Sequence, residues 1–116
     1  MKYKLRFSKQ AAQDIEDVLA LTLERFGEKQ WERYKQIIRN ALLEIAADPE
    51  GIHTRRRPEI HPNARTMHLA RRGQPARQFI LYRLAGEPFV DIGRLLHDSM
   101  ELSRHLPSGF ESDDAP

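Results

Sequence analysis

Gln78-Phe79-Ile80-Leu81-Tyr82-Arg83-Leu84 is apolar at odd and even positions alike. A strand with one wet face alternates apolar and polar residues, whereas a strand covered on both faces does not. The stretch is therefore predicted to be a central strand, with a neighbour on each side. One neighbour is residues 64–70, with Met67 and Leu69 toward the interior, reached through the turn Gly73-Gln74-Pro75. The other is residues 89–96, joined by Ala85-Gly86-Glu87-Pro88, whose glycine and proline suit a hairpin.

The cover must come from the first half of the chain. Residues 2–7 alternate, with Tyr3, Leu5 and Phe7 on one side and Lys2, Lys4 and Arg6 on the other, as in a half-buried strand. Ser8 follows as an N-cap, since its hydroxyl can accept from a free amide of the first helical turn. Ala11, Ile15, Val18, Leu19, Thr22 and Phe26 then make a stripe at helical spacing, which Gly27 ends. A second helix from Glu28 carries Trp31, Tyr34, Ile38, Ala41, Leu42 and Ile45, opposite Glu32, Gln36, Arg39 and Asn40. Asp48-Pro49 stops it, because the residue before proline avoids the helical region. With so short a link the helices should pair as an antiparallel hairpin. Residues 49–63, rich in Pro, Gly and Arg, read as loop, and residues 98–106 as a short terminal helix. The expected fold is α+β in two layers, β-α-α-β-β-β, an antiparallel sheet packed against a helical hairpin. It forms one domain over residues 1–106, with residues 107–116 as an acidic, flexible tail.

Composition bounds what such a chain can do. Its 116 residues support one compact core. No apolar run of transmembrane length and no signal-peptide pattern occurs, and cysteine is absent, so a cytoplasmic protein without membrane contact is expected. Residues 107–116 carry Glu111, Asp113 and Asp114 and no base. Removing that −3 from a net charge of +2 leaves +5 on residues 1–106. The bases gather at Arg55-Arg56-Arg57, Arg65, Arg71-Arg72 and Arg77, a distribution that points to an acidic partner.

Sites for bond-making chemistry are sparse. The five histidines include no i, i+4 helical pair, and no glycine-rich phosphate loop or nucleophile elbow is present, so no metal and no cofactor are expected. If the chain cleaved RNA, Arg65 and Arg83 would steady phosphate while His68, His97 and Tyr82 moved protons. Tyr82 reads rather as core between Ile80 and Leu84, and His97 rather as the closure of a sheet edge. Asp14, Glu16, Asp17 and Glu24 on the first helix argue against docking on DNA.

Phe7-Ser8-Lys9-Gln10-Ala11-Ala12-Gln13-Asp14-Ile15 resembles the opening of the ParE branch of the RelE/ParE toxin superfamily, as do Glu24-Arg25-Phe26-Gly27 and Tyr34. Arg57-Pro58-Glu59-Ile60 and Ala64-Arg65-Thr66-Met67-His68-Leu69 are similar to that family's loop and second strand. Phe79-Ile80-Leu81-Tyr82-Arg83, Ile92-Gly93-Arg94-Leu95-Leu96-His97-Asp98-Ser99-Met100-Glu101 and Arg104-His105-Leu106 carry the strongest likeness. The resemblance spans residues 3–106. It implies the toxin of a bacterial type II toxin–antitoxin pair, poisoning DNA gyrase and neutralised in a hetero-oligomer with a ParD-like antitoxin. The alternative within the superfamily is mRNA cleavage on the ribosome, by Arg65, Tyr82, Arg83 and His97. This chain lacks the lysine- and arginine-loaded catalytic set of that branch, and no tyrosine follows His97. On the ParE reading, Leu19, Leu23 and Tyr34 anchor the antitoxin, Arg65 and Arg83 meet its charge, and Arg94, His97 and Met100 face the target.

Overall fold

A computed structural model describes residues 2–107, 109 and 110. The elements are β1 (Lys4–Phe7), α1 (Lys9–Phe26), α2 (Glu28–Ala47), β2 (Thr54–Arg56), β3 (Ala64–His68), β4 (Gln78–Leu84) and β5 (Phe89–His97), then one 3₁₀ turn, Leu102–Arg104. The sheet order is β1-β5-β4-β3-β2. β4 lies at its centre, with the helical hairpin over one face. Two expectations are corrected. β1 runs parallel to β5, so the sheet is mixed, because the chain leaves β1 through α1 and α2 and reaches β5 only after β2–β4. The segment read as loop contributes β2, an edge strand antiparallel to β3.

Local chemistry sets the joints. Ser8 Oγ accepts from the Ala11 amide at 2.9 Å and donates to the Gly93 carbonyl at 2.7 Å, so the cap of α1 is also tied to β5. Gly27 alone separates the helices at φ 87°, a conformation that glycine tolerates, and its amide donates to the Leu23 carbonyl. The main core lies between hairpin and sheet, where Tyr34, Ile37, Ile38, Ala41 and Ile45 of α2 meet Met67, Ile80, Tyr82, Val90, Ile92 and Leu95. α1 adds only Ala11 to the fully buried set, and Phe26, expected on the inner stripe, is 70% exposed at the hairpin tip.

The opposite face of the sheet is covered too, which accounts for a central strand apolar on both sides. Ile60, Ala64, Leu81 and Phe110 form a second buried cluster, with Leu102 and Leu106 against it. Residues 98–106, expected as a helix, run over this face with only the single 3₁₀ turn. At the start of the segment read as tail, Pro107 and Phe110 are buried. They fit because β5 bulges opposite Leu81 and Tyr82, leaving Gly93 as the extra residue. A Cβ at Gly93 would stand 2.7 Å from Pro107 Cγ and 2.9 Å from Phe110 Cζ. Arg83 completes the clasp, donating to the Gly109 carbonyl and lying 4.9 Å over the Phe110 ring. Glu111–Pro116, the acidic part of the tail, lies outside the described residues.

Phe110→Ala should cost about 3 kcal/mol, the lower end for a buried aromatic. Gly93→Ala should cost about 1–3 kcal/mol by overpacking the same contact. Urea denaturation of these variants, and of chains ending at Leu106 and at Phe110, measures it. Equal midpoints for the two truncations would show that the clasp adds nothing to stability.

Candidate functional site

Two concavities flank the helical hairpin. The larger, about 440 Å³, lies where β1 meets both helices, and Leu5, Phe7, Ile15, Leu19, Leu42 and Leu43 make its apolar floor and walls. Phe7 is 46% and Leu43 51% exposed, so the apolar surface continues to the rim. Lys35 and Arg39 edge it. Lys35 stands 4.1 Å over the Trp31 ring, and Arg39 makes no hydrogen bond or ion pair among the described residues. The groove is a by-product of the stripes. Residues 15 and 19 of α1 and 38 and 42 of α2 lie one turn apart on facing helices, and the short β1 leaves them uncovered.

The second concavity, about 320 Å³, opens between the hairpin tip and the β3–β4 turn. Leu21, Phe26 and Tyr34 line it, with Arg25 and Arg77 at its rim and His97 on the sheet side. Tyr34 lines this concavity and not the first groove. Burial raises its phenol pKa, against a backbone hydrogen bond to Arg77. His97 is held by Ser99, whose Oγ lies 2.8 Å from Nδ1. Met100, three residues on, is 44% exposed.

The remaining residues named from sequence are engaged internally. Arg94 grips Asp14 through Nε at 2.7 Å and Nη2 at 3.0 Å and also donates to the His105 carbonyl. Its fork is thus committed to the fold. Arg65 donates twice to Thr54 Oγ1, at 3.1 and 2.9 Å. Arg83 pairs with Asp91 at 3.1 Å as well as clasping the C-terminal segment. Asp91 is the middle of a row across three strands, since Arg6 of β1 meets its other oxygen at 2.7 Å. Tyr82 is fully buried, donates to the Pro49 carbonyl at 2.5 Å, and has its pKa pushed up to about 12 by burial. It is a core phenol. Of the four residues named for RNA cleavage, Arg65 and Tyr82 are cross-strand partners, but Arg83 and His97 are not brought to them. Tyr82 and Arg83 point to opposite faces of β4, and His97 pairs with Gln78, four residues down that strand from Tyr82. Four strand residues span roughly 13 Å.

Leu19 is the expected anchor that the groove contains, and Leu23 is exposed one turn beyond it. Leu5, Phe7, Leu42, Leu43, Lys35 and Arg39 were not singled out as binding residues. The adjacent pair Leu42-Leu43 was the available signal, because it broadens the apolar stripe of α2 beyond what the core requires.

The model of the family described as ParE toxin of type II toxin-antitoxin system, parDE, matches residues 5–102. The chain belongs to this family, and is a ParE-type toxin of a type II toxin–antitoxin system. It is 28% identical over 106 residues to Toxin ParE1 of Mycobacterium tuberculosis (strain CDC 1551 / Oshkosh), covering 91% of this chain and all of that protein. Toxin ParE1 of strain ATCC 25618 / H37Rv matches to the same extent. Among solved structures, one titled Chromosomal ParDE TA system from P. aeruginosa superposes with a TM-score of 0.65 at 18% identity, covering 83% of this chain and 96% of that one. Pro107 and Phe110, which close the second core, lie beyond the residues that the family model matches.

The Arg6–Asp91–Arg83 row sets an acid dependence. Burial alone would raise the Asp91 pKa, but Arg6 and Arg83 hold it below the ordinary carboxylate range. A carboxyl whose pKa is lowered by folding adds stability that is full above the unfolded value and lost as pH falls through the folded one. Stability should therefore fall as pH drops below about 4. Asp91→Asn should lower it at neutral pH and flatten that fall, as read from denaturation midpoints between acid and neutral pH. An unchanged acid slope would mean that the row is not the cause.

Proposed function

We propose that this toxin is kept silent by an acidic, amphipathic segment of a ParD-like antitoxin lying along the groove between β1, α1 and α2. Its target once free is DNA gyrase. The observation that carries the antitoxin reading is the groove itself, an apolar trough rimmed by Lys35 and Arg39. An amphipathic helix lays its apolar face into such a groove through residues three and four apart. Acidic residues on its flanks would meet the two cations, in keeping with the +5 carried by residues 1–106. A segment that folds on binding loses a few kcal/mol to ordering, so several buried anchors are needed. Leu19, Leu42, Leu43 and Phe7 would supply the receiving surface.

The gyrase reading rests on membership in the ParE family. The surface left open at the other end of the hairpin, with His97, Met100 and the exposed Phe26, is the part assigned to the target. Arg94 would act there indirectly, by fixing the end of β5 from which His97 and Met100 follow.

Leu43→Glu places a like charge in the path of an acidic partner at a half-exposed position. It should leave the melting temperature nearly unchanged and weaken antitoxin binding by tenfold or more in calorimetry. Unaltered affinity would move the antitoxin elsewhere.

The cellular target is tested by pulse-labelling DNA, RNA and protein synthesis after brief induction of the toxin alone. Early arrest of DNA synthesis with an SOS response, and gyrase trapped on cleaved DNA in a purified assay, is the expected result. Early arrest of protein synthesis instead would replace gyrase with the ribosome and its mRNA.

A further inference from the structure

The sheet face turned away from the helices holds a third concavity of about 290 Å³ beside the β2 edge, where Phe79 lies among polar and charged side chains. Arg55, Arg57, Thr66 and His68 wall it, with His53 and Asp98 at its margins. We propose that it binds a phosphate group, carried by a nucleic-acid backbone or by a free nucleotide.

The arginines supply the first argument. Arg55 is exposed and makes no hydrogen bond or ion pair among the described residues, so its fork is open. Arg57 is held from behind: its Nε donates to Thr66 Oγ1 at 3.1 Å, while its nearest carboxylate, Glu59, stands 3.6 Å away and is largely exposed. One free and one oriented guanidinium on neighbouring residues suit a planar, multidentate grip on phosphate oxygens.

The local charge balance supplies the second. Glu44 is shared among His53 at 2.7 Å, Arg71 at 3.0 Å and Arg72 at 3.3 Å. Asp98 is shared between His68 at 3.1 Å and Arg77 at 3.4 Å. Five arginines thus face three carboxylates around this corner. Burial raises the pKa of Glu44, but bonds from His53, Arg71 and Arg72 outweigh it and leave it lowered; Asp98 is lowered chiefly by His68. Both are the behaviour of carboxylates in a positive surround. His68 accepts the Ala70 amide on Nδ1 at 3.0 Å and meets Asp98 through Nε2, so Asp98 is already answered within the fold.

The volume supplies the third. It falls just below the range of drug-sized sites, roughly 300–1,000 Å³, and suits a small polyatomic anion. Arginines on an edge strand also discourage strand pairing between molecules. That role accounts for the exposure of Arg55 and Arg56, but not for a walled concavity with a hydroxyl bracing one fork.

The test is a set of ¹⁵N–¹H correlation spectra of the full chain at constant ionic strength. It is titrated with inorganic phosphate, with a 5′-phosphorylated dinucleotide, and with a short single-stranded oligonucleotide. Saturable shifts confined to Arg55, Arg57, Thr66, His68 and their neighbours are expected. Arg55→Glu should weaken binding about tenfold or more. Arg33→Glu, the same charge change on an exposed residue of α2, should not. Tighter binding of the oligonucleotide than of phosphate would identify a nucleic-acid source. Equal binding of phosphate and dinucleotide, with no gain from the longer strand, would identify a free nucleotide or phosphate. Shifts spread over the surface, or equal losses in the two charge-reversal variants, would overturn the proposal.

Discussion

One carboxylate joins the two layers of this molecule. Asp14, in the second turn of α1, receives both Nε and Nη2 of Arg94 and, at 3.0 Å, the backbone amide of Leu95. The position follows from the sheet. β1 pairs with β5 only as far as Ile92, so beyond that residue the outer edge of β5 has lost its strand neighbour. A backbone amide left there without a partner would cost roughly 1–3 kcal/mol. Asp14 replaces the missing strand at that point, and Arg94 neutralises the carboxylate that does so. Breaking a largely buried pair of this kind by removing one partner costs several kcal/mol, because the other charge is left behind. The angle of the hairpin over the sheet, and hence both concavities beside it, depends on this contact.

Much of the architecture is readable from short-range pattern. The doubly apolar β4, the Ser8 cap, the Gly27 break and the Asp48-Pro49 stop each have a local cause, and each occurs where the pattern puts it. The parallel pairing of β1 with β5 has no local cause, since it joins residues about 85 positions apart. β2 escapes pattern reading for a different reason: a three-residue edge strand has too few positions for a period of two to declare itself. Pro107 and Phe110 look like tail in composition. Their burial is decided by a bulge at Gly93, which a single sequence does not reveal.

The candidate site was less legible than the fold, because charge on a residue does not say whom it serves. Arg65, Arg83 and Arg94 carry the right chemistry for a partner, and the structure spends all three on Thr54, Asp91 and Asp14. Tyr34 has the size of an anchor and is buried. Leu19 lies in the groove, because a leucine at the margin of an amphipathic stripe is left outside the core where the covering strand is short. Among the arginines that stay open, Arg39 and Arg55 sit on a rim and on an edge strand, where no neighbouring element remains to answer them.

The pairing of β1 with β5 also bears on how the protein is made. During synthesis the hairpin leaves the ribosome with its apolar stripes bare, because Met67, Ile80, Tyr82, Ile92 and Leu95, which will cover them, have yet to be translated. β1 has no strand partner until Ile92 has emerged, and the second core cannot close before Phe110. At the usual translation rate of about 5–20 residues per second, the interval between hairpin and sheet lasts several seconds. Throughout it the groove of α1 and α2 exists only as two uncovered helices, and neither concavity beside the hairpin takes its shape until almost all of the sheet is in place.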